Sequence, residues 1–355
     1  MFLTFRRAAC SHGLPRSSCR HECRQTMIGL LGSGSWATAI IKILLEDEEH
    51  TVNWWVREPE VREGLLAEHH NIFYLREALI DTNRIRLGEE VRETVEQSDD
   101  IFIVIPSAFV YNALKDIPAE VMQAKRFHCA TKGLIPETNQ ILTEYLHTCH
   151  GVPYSQMTVV SGPSHAEEAA RQQLTYLTVA SDNERLANEV RQMLNCYYVK
   201  TVYSPDIRAL QYSTVMKNIY AIGAGMCHGL GYGDNPIAVL VANSVQEGYE
   251  FLQHYASLDA HMIAQFAFLG DLLVTCYSQF SRNRTFGQML GRGYSVKTAQ
   301  QEMNMVAEGY YAIKGVEKMR RELGVEMPIE QAIYQVLYEH KPARKTMKLL
   351  MGNLK

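Results

Sequence analysis

The sequence predicts an α/β fold, in which an N-terminal Rossmann-type, doubly wound sheet is followed by a mostly α-helical C-terminal domain. Three observations predict it. A glycine-rich turn follows the first apolar run, apolar runs alternate with helix-favouring segments up to residue 203, and helical periodicity continues to the end. A chain of 355 residues is long enough for two domains. We therefore place an α/β domain at residues 27–203 and a helical domain at 204–355.

The predicted strands are short runs of apolar, β-branched or aromatic residues. They lie at residues 27–31, 51–56, 101–106, 127–131 and 158–161. Helix-favouring segments lie between several of these runs, for example at 35–45 and in the acid-rich stretch 89–97. This alternation is typical of parallel strands that are joined by crossover helices.

The helical domain is predicted to begin at Ser204-Pro205, with Ser204 as the helix cap and Pro205 in the first helical position. Long helical periodicities follow, for example at 307–323 and 330–340. Three tyrosines occupy apolar positions of these segments and are predicted to be core residues: Tyr310, Tyr311 and Tyr334.

Composition and charge exclude several classes of protein. The formal net charge of −4 gives no general attraction to nucleic acid, so affinity for an anion must come from a local site. No apolar run approaches the roughly 18 residues that cross a bilayer. The cysteines after residue 26 are widely spaced, which predicts neither a disulfide framework nor a metal site and fits a reducing cytoplasm.

Residues 1–26 form a basic segment with five arginines and one acidic residue. We interpret the segment as a disordered extension, because Met27 directly precedes the first predicted strand. Two alternatives remain open. The segment is Arg-rich and acid-poor, like a mitochondrial presequence. It also holds a weak CxxxC pattern, with candidate metal ligands at Cys10, His12, Cys19, His21 and Cys23.

The glycine-rich turn GSGSWA, at 32–37, is a G-x-G-x-x-A fingerprint between a strand and a helix. Gly32 permits the tight turn, Gly34 lets the backbone approach a pyrophosphate, and Ala37 allows close packing of the helix on the strand. The N–H groups that begin the helix attract an anion. The sequence therefore predicts that residues 27–203 bind a dinucleotide.

The end of the second strand bears on the choice of dinucleotide, because an acidic residue there binds the ribose hydroxyls of NAD. The strand ends in Arg57 and Glu58. Glu58 suits the ribose of NAD, whereas Arg57 suits the 2′-phosphate of NADP. Alternatively, both side chains are charges of a loop that only contact water. The sequence therefore leaves the choice between NAD and NADP open.

Two charged residues among apolar neighbours indicate proton chemistry in the helical domain. Lys217 lies in VMKNIYAIGAG, where partial burial is expected to lower its pKa unless the ammonium reaches water. Asp271 lies in LGDLLVTC, where a carboxylate is costly unless it pairs with a cation. Lys217 is the predicted partner of Asp271.

Further candidates lie at strand ends and at a helix start. Lys132 in ATKGL and the segment SGPSHAEE at 161–168 follow predicted strands, where the ligands of open sheets bind. In SRNR, Ser281 is a predicted helix cap, and Arg282 and Arg284 are candidates to hold a phosphate. Alternatively, this charged turn only contacts water and binds no phosphate.

Together these motifs resemble the NAD(P)-dependent glycerol-3-phosphate dehydrogenase family of bacterial type, over nearly all of residues 27–340. The similarity rests on seven segments in the family's order: GSGSWA, ATKGL, SGPSHAEE, VMKNIYAIGAG, GLGYGDN, GDLLVTC and SRNRTFGQML. It implies a cytoplasmic oxidoreductase that transfers hydride between NAD(P)H and dihydroxyacetone phosphate. The product, sn-glycerol 3-phosphate, would enter glycerophospholipid synthesis. Apolar faces in the helical domain are compatible with a homodimer.

The resemblance also implies roles for single residues. Lys217 corresponds to the residue that exchanges a proton with the substrate oxygen, and Lys132 and Asp271 belong to the same catalytic group. Substrate contacts are implied at Lys132, Gly162, Ser164, Lys217, Asp271, Ser281, Arg282 and Asn283. Cofactor contacts are implied at Gly32, Gly34, Ser35, Trp36, Arg57, Lys132, Ala166, Arg282, Val306 and Glu308.

The sequence departs from the family's pattern in four places. His165 replaces an aromatic residue, and His228 stands where Asp is frequent. The stretch 238–251 lacks an arginine near Asn243, and the residues before Asp271 lack a glycine-rich lead-in. Two alternatives follow, namely a dehydrogenase for a hydroxy or keto acid without phosphate, and a non-catalytic nucleotide sensor.

Overall fold

The computed structural model describes residues 26–256, 266–303 and 307–355. Almost all of the basic segment at 1–26 and the cofactor candidate Val306 therefore lie outside the described residues. Within the described ranges the chain forms an α/β domain followed by a helical domain, which confirms the predicted fold class.

A single sheet of eight strands forms the centre of the first domain, as far as the chain is described. The strands are β1 (Ile28–Leu31), β2 (Val52–Trp55), β3 (Ile85–Gly88), β4 (Asp100–Ile103), β5 (Arg126–Cys129), β6 (Met157–Ser161), β7 (Thr175–Ala180) and β8 (Val199–Ser204). Their order across the sheet is β3-β2-β1-β4-β5-β6-β7-β8.

Helices surround the sheet and build the second domain. The first domain contains α1 (Ser35–Leu44), α2 (Pro59–Glu68), α3 (Val91–Glu96), α4 (Ser107–Leu114), α5 (Ala119–Gln123), α6 (Leu142–His150), α7 (Ala166–Ala170) and α8 (Glu184–Leu194). The second contains α9 (Ile207–Gly229), α10 (Asp234–Leu252), α11 (Asp271–Tyr277), α12 (Arg282–Gly291), α13 (Val296–Glu302), α14 (Glu308–Leu323), α15 (Pro328–Leu337) and α16 (Ala343–Met351). A π-helical turn (Phe266–Gly270) precedes α11, and 3₁₀ turns lie at Thr82–Arg84 and Tyr154–Gln156.

Each of the five predicted runs contains a strand, and β3, β7 and β8 are additional to the prediction. β3 is an edge strand of four residues, none of them fully buried, so it lacks the apolar run that marks a buried strand. β8 alternates buried and exposed residues along much of its length, as a strand with one solvated face does. A search for continuous apolar runs therefore identifies only buried strands of this sheet.

The five predicted strands pair in parallel, as expected, whereas the additional strand β7 runs antiparallel to β6. The other neighbouring strands are parallel. The connection between β6 and β7, residues 162–174, contains the short helix α7.

The first helix of the helical domain, α9, begins two residues later than predicted. Asp206 caps α9, and its carboxylate accepts a hydrogen bond from the amide of Ala209 at 2.8 Å. Ser204 is the last residue of β8, where pairing with Ala180 keeps its backbone extended. Pro205 therefore precedes the cap instead of following it. Asp caps a helix as well as Ser does, so the local pattern does not decide between the two positions.

Apolar side chains form one core on each face of the sheet, because successive side chains of a strand point to opposite faces. Ile101 and Ile103 of β4 enter one core, and Phe102 enters the other. The first core continues into α9, α14 and α15 of the helical domain. The two domains therefore share a core, and no separate interface lies between them.

The predicted core tyrosines differ in their burial. Tyr310 and Tyr334 are half-buried against the shared core, in agreement with the prediction. The prediction for Tyr311 is wrong, since this side chain is 40% exposed. Tyr311 follows Tyr310 directly in α14, and neighbouring residues of a helix point about 100° apart.

The helices α9 and α12 pack with their backbones in contact. A Cβ atom on Gly287 of α12 would lie 2.0 Å from a carbonyl oxygen of α9, and one on Gly225 of α9 would lie 2.0 Å from a carbonyl oxygen of α12. Gly229 and Gly291 meet in the same way one turn further along. We call this set of four glycines the glycine contact.

The buried carboxyl of Glu330 gives a prediction for stability. Glu330 has no exposed surface, and neither carboxyl oxygen has a hydrogen-bond partner among the described residues. Burial, together with the nearby Glu317 and Glu247, raises its pKa from 4.5 to about 9. In the unfolded chain the group ionises near 4.5, so the folded state binds more protons and loses stability as the pH rises through this window.

We therefore expect Glu330→Gln to raise the free energy of unfolding at pH 8 by about 3 kcal/mol, and by much less at pH 5. Thermal unfolding at both pH values measures the effect. Glu326→Gln is the matched control, because Glu326 is exposed on the same segment. Equal gains at pH 5 and pH 8 would contradict the expectation.

Candidate active site

A cavity of about 730 Å³ lies where the carboxyl ends of β1, β2, β4, β5 and β6 face the helical domain. Most of the predicted site residues line it, although they come from distant parts of the chain. They are Gly32, Gly34, Ser35, Trp36, Arg57, Lys132, Ser164, Ala166, Lys217, Asp271, Ser281, Arg282, Asn283 and Glu308. The fold thus places the predicted cofactor and substrate residues in one cavity.

The glycine-rich turn has the geometry that its sequence predicts. Gly32 has a φ of +127°, and a Cβ atom there would lie 2.7 Å from the carbonyl oxygen of Val104, so both the conformation and the space require glycine. Gly34 is the N-cap of α1, with nothing within 4 Å of a Cβ position. Because no side chain caps α1, its first N–H groups are available to a pyrophosphate. This open, glycine-lined helix start fits a dinucleotide.

The end of β2 carries a linked pair of charges. Glu58 accepts a hydrogen bond from the Ser33 hydroxyl and pairs with Arg57 at 2.8 Å. Burial alone would raise the pKa of Glu58, but the hydrogen bonds from Ser33 and the backbone and the charge of Arg57 lower it. The guanidinium of Arg57 lies 5.4 Å from the ring centre of Phe109, and its side chain is 59% exposed. An ionised carboxylate and a cation therefore both line the cavity at the end of β2.

Lys217 and Asp271 form a buried ion pair, as predicted. The ammonium of Lys217 contacts the carboxylate of Asp271, and the two residues are 5% and 2% exposed. The hydroxyl of Ser161 also donates to this carboxylate, at 3.4 Å. Burial lowers the pKa of Lys217 to about 8, although Asp271 opposes the shift, and the nearby Lys132 lowers it further. The alternative of a lysine that reaches water is therefore wrong.

Two further ionisable groups face the same space. The ammonium of Lys132 lies 5.7 Å from the ring centre of Trp36. Burial raises the pKa of Glu308 to about 7, and the charges of Lys132 and Arg282 limit the rise. Glu308 is the first residue of α14, where the adjacent amide of Gly309 donates to the Asn283 side chain at 2.9 Å. This bond ties the start of α14 to the start of α12.

The start of α12 presents hydrogen-bond donors to the cavity. Ser281 caps the helix, as predicted, and its hydroxyl oxygen accepts from the amide of Arg284 at 3.3 Å. Arg282 lines the cavity, but Arg284 does not. Two residues along a helix amount to a rotation of about 200°, so the two arginines point to different sides. The prediction that both could hold one phosphate is therefore wrong for Arg284.

Gly162 lies behind the cavity and is absent from its lining. Its φ is +144°, and a Cβ atom would lie 2.5 Å from the carbonyl oxygen of Tyr176. The hydroxyl of Ser164, which does line the cavity, donates to the carbonyl of Gly162 at 3.0 Å. Gly162 therefore sets the path of the loop that carries Ser164, and its predicted substrate contact remains a prediction.

Several lining residues were absent from the predicted site, and Phe109, Phe280 and His165 are among them. Phe109 and Phe280 are 41% and 48% exposed and give the cavity an apolar wall. The ring of His165 stands 5.7 Å from that of Phe280, and burial lowers the pKa of His165. Phe109 lies in the helix that follows β4, so the strand-end rule that found Lys132 also applies to it.

Within the described ranges, no three side chains of His, Cys, Asp or Glu are grouped so as to hold a metal ion. None of the described helices has the length and apolar character of a membrane span.

Comparison with known proteins shows to which family the chain belongs. The family model for the N-terminus of NAD-dependent glycerol-3-phosphate dehydrogenase matches residues 27–187, and the model for its C-terminus matches residues 206–348. The chain belongs to this family. The family thus accounts for both domains, and the match to the C-terminal model begins at Asp206, the cap of α9.

Individual glycerol-3-phosphate dehydrogenases agree over most of the chain. Glycerol-3-phosphate dehydrogenase [NAD(P)+] of Chlorobium limicola is 34% identical over 325 residues, which is 91% of this chain and 97% of the relative. The Escherichia coli enzyme of the same name is 34% identical over 330 residues, or 93% and 96% of the two chains. The crystal structure of glycerol-3-phosphate dehydrogenase from Coxiella burnetii superposes with a TM-score of 0.83 at 28% identity, over 92% of this chain and 98% of that one.

Proposed function

We propose that this chain catalyses hydride transfer between NAD(P)H and dihydroxyacetone phosphate, giving sn-glycerol 3-phosphate. The observation that carries the proposal is the buried Lys217–Asp271 pair, which shares a cavity with the dinucleotide turn and with Arg282. A proton donor, a hydride-donor site and a phosphate-binding cation are the three parts that the reduction of a phosphorylated ketone requires.

Lys217 supplies the proton in this proposal. With a pKa of about 8, the ammonium is mostly protonated at neutral pH and still releases its proton readily. It donates to the carbonyl oxygen of the substrate, and Asp271 holds the ammonium in place. When bound, NAD(P)H supplies the hydride to the carbonyl carbon. Lys132, the second cation beside this position, stabilises the developing negative charge on the oxygen.

The start of α12 holds the phosphate. Arg282 offers a planar guanidinium that can bind a phosphate through two hydrogen bonds. The Ser281 hydroxyl accepts a bond from the backbone and is left with its own proton to donate. The Asn283 amide is fixed by its bond to Gly309. The positive end of the helix dipole adds to these contacts, since α12 is ten residues long.

The test is oxidation of NADH and of NADPH by the purified chain in the presence of dihydroxyacetone phosphate. Rapid oxidation of either supports the proposal. Binding of both cofactors without turnover would overturn it and favour the nucleotide sensor. Arg282→Ala tests the other alternative, a dehydrogenase for a substrate without phosphate. The KM for dihydroxyacetone phosphate should rise about a hundredfold if Arg282 holds the phosphate. An unchanged KM would favour a substrate without phosphate.

The charge pair at the end of β2 predicts the use of both cofactors. Arg57 is exposed enough to reach a 2′-phosphate, and the ionised Glu58 can accept hydrogen bonds from ribose hydroxyls. We expect Arg57→Ala to raise the KM for NADPH about tenfold and the KM for NADH less than twofold. Initial rates with each cofactor measure this. Arg86→Ala is the control, because Arg86 is an exposed arginine outside the cavity. Equal changes in the KM values for NADPH and NADH would contradict the assignment of Arg57 to the 2′-phosphate.

We further propose that the product serves glycerophospholipid synthesis in the cytoplasm and that the chain acts as a homodimer. The family resemblance supports the first proposal. The second is supported by large apolar side chains exposed on the helical domain, such as Val239, Tyr294 and Leu349. The solution mass from light scattering tests it, and a monomer at micromolar concentration would overturn it.

A further inference from the structure

A buried asparagine packs against the glycine-rich turn. Asn71 has no exposed surface and lies in the loop that follows α2, outside the lining of the active-site cavity. Its amide nitrogen donates to the carbonyl oxygen of Ser33 and to the hydroxyl of Thr38, each at 2.8 Å. Its amide oxygen accepts from the backbone N–H groups of Phe73, at 3.3 Å, and Tyr74, at 3.1 Å. Both donors and both lone pairs of this side chain are therefore used.

The bond to Ser33 fixes a peptide of the glycine-rich turn. The C=O and N–H of a trans peptide point in opposite directions, so the direction of the Ser33 carbonyl also sets that of the Gly34 N–H. Glycine restricts the adjoining peptide less than any other residue does. Without a partner for its carbonyl, this peptide could turn over and point the oxygen at an anion in the cavity. Asn71 lies outside the cavity lining, so its bond holds the oxygen away from such an anion.

A second link reaches the same turn through α1. The Thr38 hydroxyl, which accepts from Asn71, donates to the carbonyl oxygen of Gly34 at 3.1 Å. The same oxygen accepts the first backbone bond of α1, from the amide of Thr38 at 3.0 Å. Thr38 has no exposed surface, so water cannot replace a lost bond there. Two consecutive carbonyl groups of the turn are thus held, one by Asn71 directly and the other through Thr38.

The amide oxygen of Asn71 holds a second part of the cavity wall. Tyr74 lines the cavity together with the glycine-rich turn, and its backbone N–H donates to this oxygen. The loop is also seated closely on α2, because a Cβ atom on Gly64 would lie 2.4 Å from the side chain of Ile72. Asn71 and Ser33 are 38 residues apart in the sequence. One buried amide therefore fixes two distant segments of the cavity wall relative to each other.

We propose that Asn71 is a positioning residue for the dinucleotide, which holds the peptide between Ser33 and Gly34 and the segment of Tyr74 in the arrangement that binds the pyrophosphate. Asn71 acts through these backbone groups and contacts neither cofactor nor substrate. The inference rests on the proposed function only in that the cavity binds NAD(P)H. NADH and NADPH carry the same pyrophosphate, so both depend equally on Asn71, in contrast to the unequal dependence expected for Arg57.

The test is a fluorescence titration of NADH and of NADPH in the absence of dihydroxyacetone phosphate. Asn71→Asp keeps the shape of the side chain and the oxygen that accepts from the loop, but it removes both N–H donors. We expect the Kd of each cofactor to rise at least tenfold and by equal factors. The kcat, and the KM for dihydroxyacetone phosphate at saturating cofactor, should stay within about twofold. Unchanged Kd values, or a rise for one cofactor alone, would overturn the proposal.

Asn53→Asp is the matched control. Asn53 is 6% exposed in β2 and lies outside the cavity lining. Its amide donates to the carbonyl oxygen of Gln97 and to the hydroxyl of Ser98, both at 3.2 Å. The variant loses the same donors from a buried position, so it should lower the melting temperature much as Asn71→Asp does and leave both Kd values within about twofold. Equal rises of Kd in the two variants would indicate a general loosening of the domain and overturn the proposal.

A second pair of variants applies if Asn71→Asp does not fold. Thr38→Val removes the hydroxyl that links Asn71 to Gly34 and should raise both Kd values about threefold. Thr94→Val is its control, because the Thr94 hydroxyl is also buried in a helix and donates to a carbonyl oxygen four residues earlier, that of Glu90. Equal Kd values for the two valine variants would contradict the proposal.

ADP-ribose locates the effect, because it carries the pyrophosphate and lacks the nicotinamide. In Asn71→Asp it should lose affinity by the same factor as NADH. If NADH alone loses affinity, the effect lies at the nicotinamide and the proposal is wrong. A parent chain that binds both cofactors without turnover would overturn the proposed function and leave this inference intact, since every Kd is measured without substrate.

Discussion

Replacing Lys217 with alanine is expected to lower kcat for dihydroxyacetone phosphate about a thousandfold and to leave the Kd of NADH within twofold. Proton transfer by a positioned side chain contributes about 10²–10⁴ to a rate. Lys217 is the buried cation that pairs with Asp271, and burial has lowered its pKa to about 8. Its removal also leaves the carboxylate of Asp271 without its cation. Stopped-flow kinetics and a fluorescence titration of NADH measure the two quantities.

A second variant separates a chemical role of Lys217 from a structural one. In the direction of ketone reduction the lysine must be protonated, so kcat should fall as the pH rises through its pKa. Asp271 raises that pKa. Asp271→Asn should therefore move the fall in kcat to a lower pH. If the pH profile stays in place, or if Lys217→Ala turns over at the parent rate, the proton donor is another group.

Gly287→Ala is expected to lower the free energy of unfolding by about 3 kcal/mol, the upper part of the usual range for overpacking. The added Cβ atom would lie 2.0 Å from a backbone carbonyl oxygen of α9. A side chain could rotate away from such a contact, whereas a helix backbone moves only as a whole. The helices α9 and α12 would have to separate, and the rest of their interface would loosen with them.

Urea unfolding measures this loss. Gly233→Ala is the matched control, since Gly233 caps α10 with a φ of −77° and has nothing within 4 Å of a Cβ position. That variant should stay within about 0.5 kcal/mol of the parent. If the Gly287→Ala protein is as stable as the control, the backbones at the glycine contact can accommodate a Cβ atom. Loss of activity with unchanged stability would instead assign Gly287 to the site.

Local patterns in the sequence predicted the parts of the site that depend on local physics. The turn at Gly32 and Gly34 needs only its own strand and helix, and the Lys217–Asp271 pair follows from the cost of burying either charge alone. The cap at Ser281 is also a local feature. The turn and the cap required no knowledge of which elements become neighbours in space, and the pairing of Lys217 with Asp271 required only that both charges be buried.

The features that sequence reasoning missed depend on contacts between distant residues. β3 is recognisable only by its pairing with β2, and the direction of β7 is seen only in its pairing with β6. Ser204 and Asp206 are equally good caps until the pairing of β8 fixes the first of them. Arg282 and Arg284 point to different sides of α12, and the packing of this helix in the fold decides that the side with Arg282 lines the cavity.

The reversal at β7 has a consequence for how Lys217 is held. Because β7 and β8 run opposite to β6, β8 ends at the edge of the sheet away from the cavity, and α9 must travel back past the sheet. Lys217 is the eleventh residue of α9, so the helix covers about 15 Å before it arrives, close to the length of a strand. The lysine therefore stands in mid-helix, held on both sides by hydrogen-bonded turns. The backbone that carries the lysine is therefore part of a regular helix and not of a loop.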